Sequence, residues 1–313
     1  MVHLILTGAT GLVGSSVLSH ILSLPSGGNI TRLSILTRNP TIPLLATPPP
    51  PGTPSSNKST RIEVIEHRDF TTYPPELLER LQGADACIWA LGVSQNSVDK
   101  DAYVRVTRDF ALEAAKAFAG LRTSKPKTKT KNQTETNTNT NTNTETTTNT
   151  DIDSDASKFK FIYVSGEGAT LTPGPWTPLF GRVKGETEAS LLALSKSRPS
   201  LAVYSVRPGG VDGHNQPWLW RDILANRRTA FERIYLPVLL APVRWASGVG
   251  LATVWHSPTD ELGRVLVEMA VDESRAPFEG PGVDGEGRTL ANLALRRLGR
   301  AGKDGQNGNG HGQ

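Results

Sequence analysis

The run VHLILTGATGLVGSSVLSHIL, residues 2–22, constrains the fold more than any other stretch of the chain. Val2 to Leu6 form an apolar segment of strand length. Thr7-Gly8-Ala9-Thr10-Gly11-Leu12-Val13-Gly14 then places three glycines in one short turn. Val13, Val17, Leu18, Ile21 and Leu22 recur at helical spacing. A buried strand, a glycine turn and an amphipathic helix make the opening unit of a doubly wound parallel α/β sheet. Gly8 permits the turn, Gly11 lets the backbone approach a pyrophosphate, and Gly14 lets the helix pack close to the strand. The unpaired N–H groups and positive dipole end at the helix start suit a diphosphate. Gly8, Thr10, Gly11, Leu12, Val13 and Gly14 are therefore the expected cofactor cradle. No Lys-Ser/Thr follows the glycines, which excludes a Walker phosphate loop.

With 313 residues, 37% of them hydrophobic and 20% charged, the chain has the composition of a globular protein with a large core. The formal charge of +4 is small for this length, and much of the basic excess falls in loops (Lys125, Lys127, Lys129, Lys131), so no nucleic-acid partner is expected. Cys87, the single cysteine, excludes internal disulfides and suits a reducing, cytoplasmic setting. It lies in the apolar run ADACIWALG and reads as a core residue. With a strand expected from residue 2, no secretory or transit peptide is expected. Residues 234–255 have membrane-like length, but Pro237, Pro242, Arg244 and several glycines interrupt them, so they are expected in a cap or dimer face and not in a bilayer. The six histidines are scattered without helical metal spacing, and no metal site is expected.

Along the chain, residues 33–38 read as a second strand ending at Thr37-Arg38. No carboxylate stands there to bind the ribose hydroxyls of NAD, and a basic Arg38 suits the 2′-phosphate of NADP. Residues 39–60, rich in Pro, Ser and Thr, are expected to form a mobile surface loop. A third strand over 61–66 leads to Asp69, on the expected adenine side, and a short helix spans 75–81. A fourth strand over 86–91 closes at Gly92, placing Ala90, Leu91 and Gly92 beside the cofactor ribose and nicotinamide. Residues 101–120 follow as a helix with Tyr103, Val106, Phe110, Ala114, Ala117 and Phe118 on its buried face. Residues 122–157 are a low-complexity insertion with almost no apolar side chains. The pattern resumes with a strand at 160–165, a helix at 179–195 and a strand at 202–207, followed by Pro208-Gly209-Gly210-Val211. Residues 212–256 hold most of the tryptophans and read as an apolar cap for a hydrophobic ligand, or equally a homodimer face. A helix at 259–270 is capped by Thr259 or Asp260, and a last helix is expected near 289–298. The remainder, 299–313, is expected to be a disordered tail. Residues 1–298 are thus expected to form one dinucleotide-binding domain.

The co-linear segments TGATGLVG, TR, YVRVTRDFALEAAKAF, FIYVSGEGA, GRVKGETEASL and YSVRPGGV resemble the short-chain dehydrogenase/reductase superfamily. The likeness is to its atypical, epimerase-like branch, near the Tat-interacting-protein-like and NmrA-like NAD(P)-binding proteins, and it spans most of residues 1–211 apart from the two inserted loops. It implies a Rossmann fold, NADP (or NAD) as cofactor, and hydride transfer with a carbonyl or alcohol of a small molecule. It further implies that Ser165 orients the substrate oxygen, that Lys184 holds the nicotinamide ribose, and that Pro208, Gly209, Gly210 and Val211 shape the nicotinamide side. The family's proton-transferring tyrosine stands four residues before that lysine. Here the position is Phe180, which can neither give nor take a proton. None of Tyr73, Tyr103, Tyr163, Tyr204 and Tyr235 is followed by a lysine four residues on, so no register slip restores the motif. Two outcomes stay open: another group (Ser165, Glu167, Thr170 or water) supplies the proton, or the chain is a non-catalytic dinucleotide sensor or scaffold.

Overall fold

The computed structural model describes residues 1–46, 57–122, 158–219, 241–246 and 253–308. The middle of the expected 39–60 loop, all but the first residue of the 122–157 insertion, most of the 212–256 cap and the last five residues lie outside the described residues. In chain order the elements are β1 (Val2–Thr7), α1 (Leu12–Ser23), β2 (Ile30–Thr37), α2 (Pro43–Ala46), β3 (Arg61–Glu66), α3 (Pro75–Leu81) and β4 (Ala86–Trp89). Then come α4 (Lys100–Val104), which runs through a π turn (Arg105–Asp109) into α5 (Phe110–Phe118), β5 (Phe159–Val164), α6 (Leu179–Ser197) and β6 (Leu201–Arg207). The last elements are β7 (Gly210–Asp212), β8 (His256–Pro258), α7 (Thr259–Val271), β9 (Val283–Asp284), β10 (Thr289–Ala291) and α8 (Asn292–Gly308).

Eight strands form one sheet in the order β3-β2-β1-β4-β5-β6-β10-β9, parallel throughout except for β9 at the edge. The near-continuous apolar strands follow from burial on both faces. One face packs Leu4, Leu6, Ile35, Ile88, Ile162 and Val206 under Val17, Leu18 and Ile21 of α1 and Leu262, Val265 and Leu266 of α7. The other packs Ile5, Cys87, Trp89, Phe161 and Tyr163 under Leu77, Ala111, Ala114, Phe118 and Leu191. Cys87 is fully buried, and burial pushes its thiol up. The strand order reverses direction between β1 and β4, and the crevice beyond the carboxyl ends of those strands is the binding place of doubly wound folds.

Four expectations need correction. The expected final helix near 289–298 is replaced at its start by β10, because Gly285 and Gly287, at φ +56° and +78°, turn the chain back so that Thr289–Ala291 pairs with β6. The helix itself runs to Gly308 and does not give way to a tail at 299. Arg296 bonds Glu261 of α7 at 2.6 Å and Arg264 bonds the Gly299 carbonyl, which anchors α8 past Leu298. Neither Thr259 nor Asp260 caps α7: Pro258 occupies the cap position, and the Asp260 carboxylate instead accepts from Asn215 at 3.1 Å. The π turn also redirects the α4–α5 face, so that Thr107 and Ala111 are buried while Val106 and Phe110 are only half-buried. One unforeseen device closes α7 at its other end. Lys160, buried in β5, donates to the Met269 and Asp272 carbonyls at 2.6 and 2.9 Å.

Candidate functional site

The glycine turn sits over the carboxyl end of β1. Gly8 has φ +69°, and a Cβ there would lie 2.2 Å from the Ala90 carbonyl oxygen just beyond β4. A Cβ on Gly14 would lie 2.1 Å from the Gly8 carbonyl oxygen, so Gly14 closes the helix onto the turn. Gly11 is different: its N–H donates to the Gly8 carbonyl at 2.8 Å, it is exposed, and its nearest obstacle is 3.3 Å away. No side chain caps α1, and its first turn carries no acidic residue. Thr10, Leu12 and Val13 are half-buried around this bare helix start. The cradle fits a diphosphate: small residues, open backbone donors, and nothing negative in the way.

Ala90 and Leu91 are half-buried beside the turn and Gly92 is exposed. Among the described residues, buried side-chain atoms without a hydrogen-bond partner stand at three strand ends: Thr7 Oγ1 at the end of β1, Trp89 Nε1 at the end of β4 and Ser165 Oγ after β5. Arg38 follows β2, is exposed, and makes no ion pair among the described residues. Asp69 is exposed after β3. Its carboxylate is held below the usual range by bonds from the Thr71 hydroxyl and amide, at 2.5 and 3.0 Å, and from the Thr72 hydroxyl.

Past β5, Ser165 is buried and its amide donates to the Val206 carbonyl at 2.8 Å. Lys184, on α6, reaches back and donates from Nζ to the Ser165 carbonyl at 2.6 Å. The structure thus brings together the two residues expected to carry chemistry. Loss of solvent around the ammonium lowers the Lys184 pKa to about 8, against the opposing pull of Glu188 one turn along. Arg207 of β6 holds Glu188 through its Nε at 3.0 Å. Gly181 and Gly185 let α6 lie directly on the loop after β5: Cβ atoms there would come within 2.5 Å of the Gly168 carbonyl and 1.9 Å of the Thr170 carbonyl. The Phe180 ring covers Gly168, lying 3.2 Å from where a Cβ would stand, and the Phe180 amide donates to Gln95 Oε1 at 3.0 Å.

Pro208 is buried, with its carbonyl accepting from the Glu167 amide at 2.9 Å. Gly209 lies against the Trp255 backbone, 2.7 Å from a Cβ placed on it, and its amide donates to Ser257 Oγ. Gly210 and Val211 lie in β7, which pairs in parallel with β8. That pairing creates a cluster the sequence did not disclose. Buried Asp212 accepts from Arg244 Nε at 2.7 Å, lies 3.1 Å from His256 Nε2, and accepts the His214 amide. Burial pushes the Asp212 carboxyl up, but His256 and Arg244 outweigh it and hold the group well below the usual carboxylate range. Asp212 and His256 are 44 residues apart, and no local spacing joins them.

No protein-family model matches the chain. It is 36% identical over 143 residues, 43% of this chain and 82% of the relative, to botcinic acid biosynthesis cluster B protein 16 of Botryotinia fuckeliana (strain B05.10). Among solved structures it is similar to the MalC reductase/Diels-Alderase of Malbranchea aurantiaca, with a TM-score of 0.56 and 15% identity, over 93% of this chain and 96% of that one. It is also similar to the Bordetella bronchiseptica enzyme WbmF in complex with NAD+ and UDP, with a TM-score of 0.53 and 14% identity, over 87% and 70% of the two chains. Its fold is the Rossmann-like α/β fold that these solved structures share, and the chain belongs to the family of the botcinic acid cluster protein.

Proposed function

We propose that the chain binds a nicotinamide dinucleotide at the β1–β4 switch point and acts as an oxidoreductase on a carbonyl or alcohol of a small, apolar molecule. The observation that carries this is the glycine turn locked against Ala90, with an uncapped α1 and Ser165 and Lys184 at the neighbouring strand end. Gly8, Thr10, Gly11, Leu12, Val13 and Gly14 hold the pyrophosphate. Asp69 borders the adenine side, Ala90, Leu91 and Gly92 the ribose, and Pro208, Gly209, Gly210 and Val211 the nicotinamide side. Lys184 faces the nicotinamide ribose and Ser165 the substrate oxygen. The reduced cofactor supplies hydride when bound. The complex of WbmF with NAD+ supports the cofactor class, and the cluster-encoded relative supports a small-molecule substrate.

Arg38, exposed and without a carboxylate partner among the described residues, favours NADP over NAD. Titration of NADPH and NADH fluorescence tests both points. Binding is expected in the micromolar range, and no binding at near-millimolar cofactor would overturn the proposal. Arg38→Glu is expected to weaken NADPH about tenfold or more and NADH little, the loss of one charge-assisted contact together with a new repulsion. Equal effects on the two cofactors would remove Arg38 from its role.

Phe180 favours a second reading, a cofactor-binding sensor without turnover. Its ring packs on Gly168 where a tyrosine hydroxyl would be sought. Consumption of NADPH in a carbonyl screen, with Phe180→Tyr beside the native chain, separates the two: turnover by the variant alone selects the sensor.

A further inference from the structure

We infer that Lys184 itself supplies the proton that completes carbonyl reduction, taking the task that Phe180 cannot perform. This rests on the oxidoreductase reading above and deepens it.

The loop after β5 leaves few candidates. Glu167 is spoken for: its Oε1 accepts the Asn292 amide at 2.6 Å at the start of α8, and its own amide donates to Pro208. Thr170 is turned into its own loop, where its Oγ1 accepts the Thr172 amide at 3.2 Å and its backbone is pressed against Gly185. Tyr163 is buried in the core, with its hydroxyl donating to the Thr107 carbonyl at 3.3 Å, and burial raises its pKa far from neutrality. Phe180 has no proton to give. Two groups remain at the end of β5. Among the described residues Ser165 Oγ is buried without a hydrogen-bond partner, and Lys184 Nζ donates to the Ser165 main-chain carbonyl. A hydroxyl far from its own pKa can relay a proton but not source one at neutral pH.

The surroundings suit an ammonium that parts with a proton. A carboxylate pair would hold Lys184 charged, but its bonding partner is a neutral carbonyl. Glu188, on its own helix, is drawn away by Arg207 from β6, and Arg207 is in turn near Asp284 at 4.0 Å. Glu167 of the facing loop is bonded to α8. A lysine in such a place shifts readily toward neutrality, whereas an arginine does not.

The balance is simple. The carbonyl carbon gains the hydride that the bound reduced dinucleotide supplies, and the π electrons of the C=O bond move to oxygen. That oxygen takes one proton from Lys184 Nζ, directly or through Ser165 Oγ. Lys184 becomes a neutral amine and is reprotonated from water. The product is an alcohol, and no other reactant is needed.

The test uses the full-length chain, NADPH, and phenanthrenequinone as a flat, activated carbonyl probe. The native chain is expected to consume NADPH, with a rate that falls as pH rises through about 8, where the proton donor empties. Lys184→Arg keeps the charge but does not release the proton; it is expected to bind NADPH within about threefold and to lose at least about a hundredfold in rate. Adding Phe180→Tyr to Lys184→Arg is expected to restore turnover. Independently of activity, carbon-labelled lysine followed by NMR should show, beside the buried Lys160 that burial lowers to about 7, an ammonium titrating near 8 that disappears in Lys184→Arg while the Lys160 signal stays. The inference is overturned if Lys184→Arg keeps its rate, if that lysine titrates near 10.5, or if the native chain binds NADPH but leaves the quinone untouched. Failure to bind NADPH at all would instead overturn the oxidoreductase reading, so the two failures are distinct.

Discussion

A methyl group on Gly14 would meet the Gly8 carbonyl at 2.1 Å, while one on Gly11 finds its nearest neighbour at 3.3 Å. The two glycines of one turn therefore make opposite predictions. Gly14→Ala forces backbone apart where no flexible side chain can yield, and a loss of about 1–3 kcal/mol in unfolding free energy is expected, as for other overpacked sites. Gly11→Ala keeps an ordinary backbone angle and alters only the cap position, so its cost should stay below about 1 kcal/mol. It nevertheless places a methyl where the pyrophosphate must approach. Chemical denaturation and NADPH titration on both variants check this: Gly11→Ala should fold and bind poorly. If it binds as tightly as the native chain, the pyrophosphate lies elsewhere. At this scale the sequence was informative wherever chemistry was local. The glycine turn and the pairing of Ser165 with Lys184 could be read because each lies in a segment with a recognisable order. The expectation that Gly14 meets the strand was nearly right; it meets the turn that leaves the strand. The Asp212–His256–Arg244 cluster could not be read, since it exists only once two three-residue strands pair.

At the scale of elements, the long buried strands and amphipathic helices declared themselves through apolar runs and helical periodicity. β7, β8, β9 and β10 did not, because each is three residues or fewer and takes its conformation from a distant partner. The loop between β5 and α6 is another element whose order comes from elsewhere. Arg182 of α6 donates to the carbonyls of Thr177, Gly174 and Pro175, at 3.1, 2.7 and 3.3 Å, and the Gly174 amide donates to Thr177 Oγ1 at 2.8 Å. This built loop holds Trp176 with 95% of its surface exposed, a few residues before Phe180. An indole so fully exposed on the loop that leads into α6 suits the wall for an apolar ligand. Two outcomes are expected. Arg182→Met should raise proteinase K cleavage within residues 170–177 about tenfold, the loss of roughly 1–1.5 kcal/mol of local hydrogen bonding. Trp176→Ala should raise KM for an apolar carbonyl severalfold with kcat nearly unchanged, the signature of a group that contributes uniform binding. A fall in kcat with KM constant would place the indole at the chemistry instead.

For the whole molecule, acid is the condition to which the first strand–turn–helix unit responds. His3 of β1 is buried, with its ring nitrogen 2.9 Å from Ser34 Oγ and its amide donating to Asp85 at 2.9 Å. Burial first, and then Arg32, lower its pKa from 6.5 to about 4. His20 of α1 is lowered to about 4 by burial and by Arg264 of α7. The sign follows from proton binding. Between pH 6.5 and 4 the unfolded chain takes up protons that the folded chain refuses, so stability is complete above 6.5 and drains away as pH falls toward 4. For His3 the shift corresponds to about 3 kcal/mol across that window. His3→Gln keeps a neutral hydrogen-bonding group in the same place and should flatten the acid limb by about that amount, read from urea midpoints at pH 7, 5.5 and 4.5. β1 and α1 also carry the glycine turn, so the proposed cofactor should act on the same limb. Saturating NADPH at a hundred times its Kd adds about 2.7 kcal/mol to the folded state. The midpoint of acid unfolding should therefore move to lower pH with NADPH in the native chain, and Gly11→Ala, folded but unable to hold the cofactor, should not show that move. An acid limb that ignores both His3→Gln and NADPH would mean that unfolding begins somewhere other than the strand and turn on which the dinucleotide site depends.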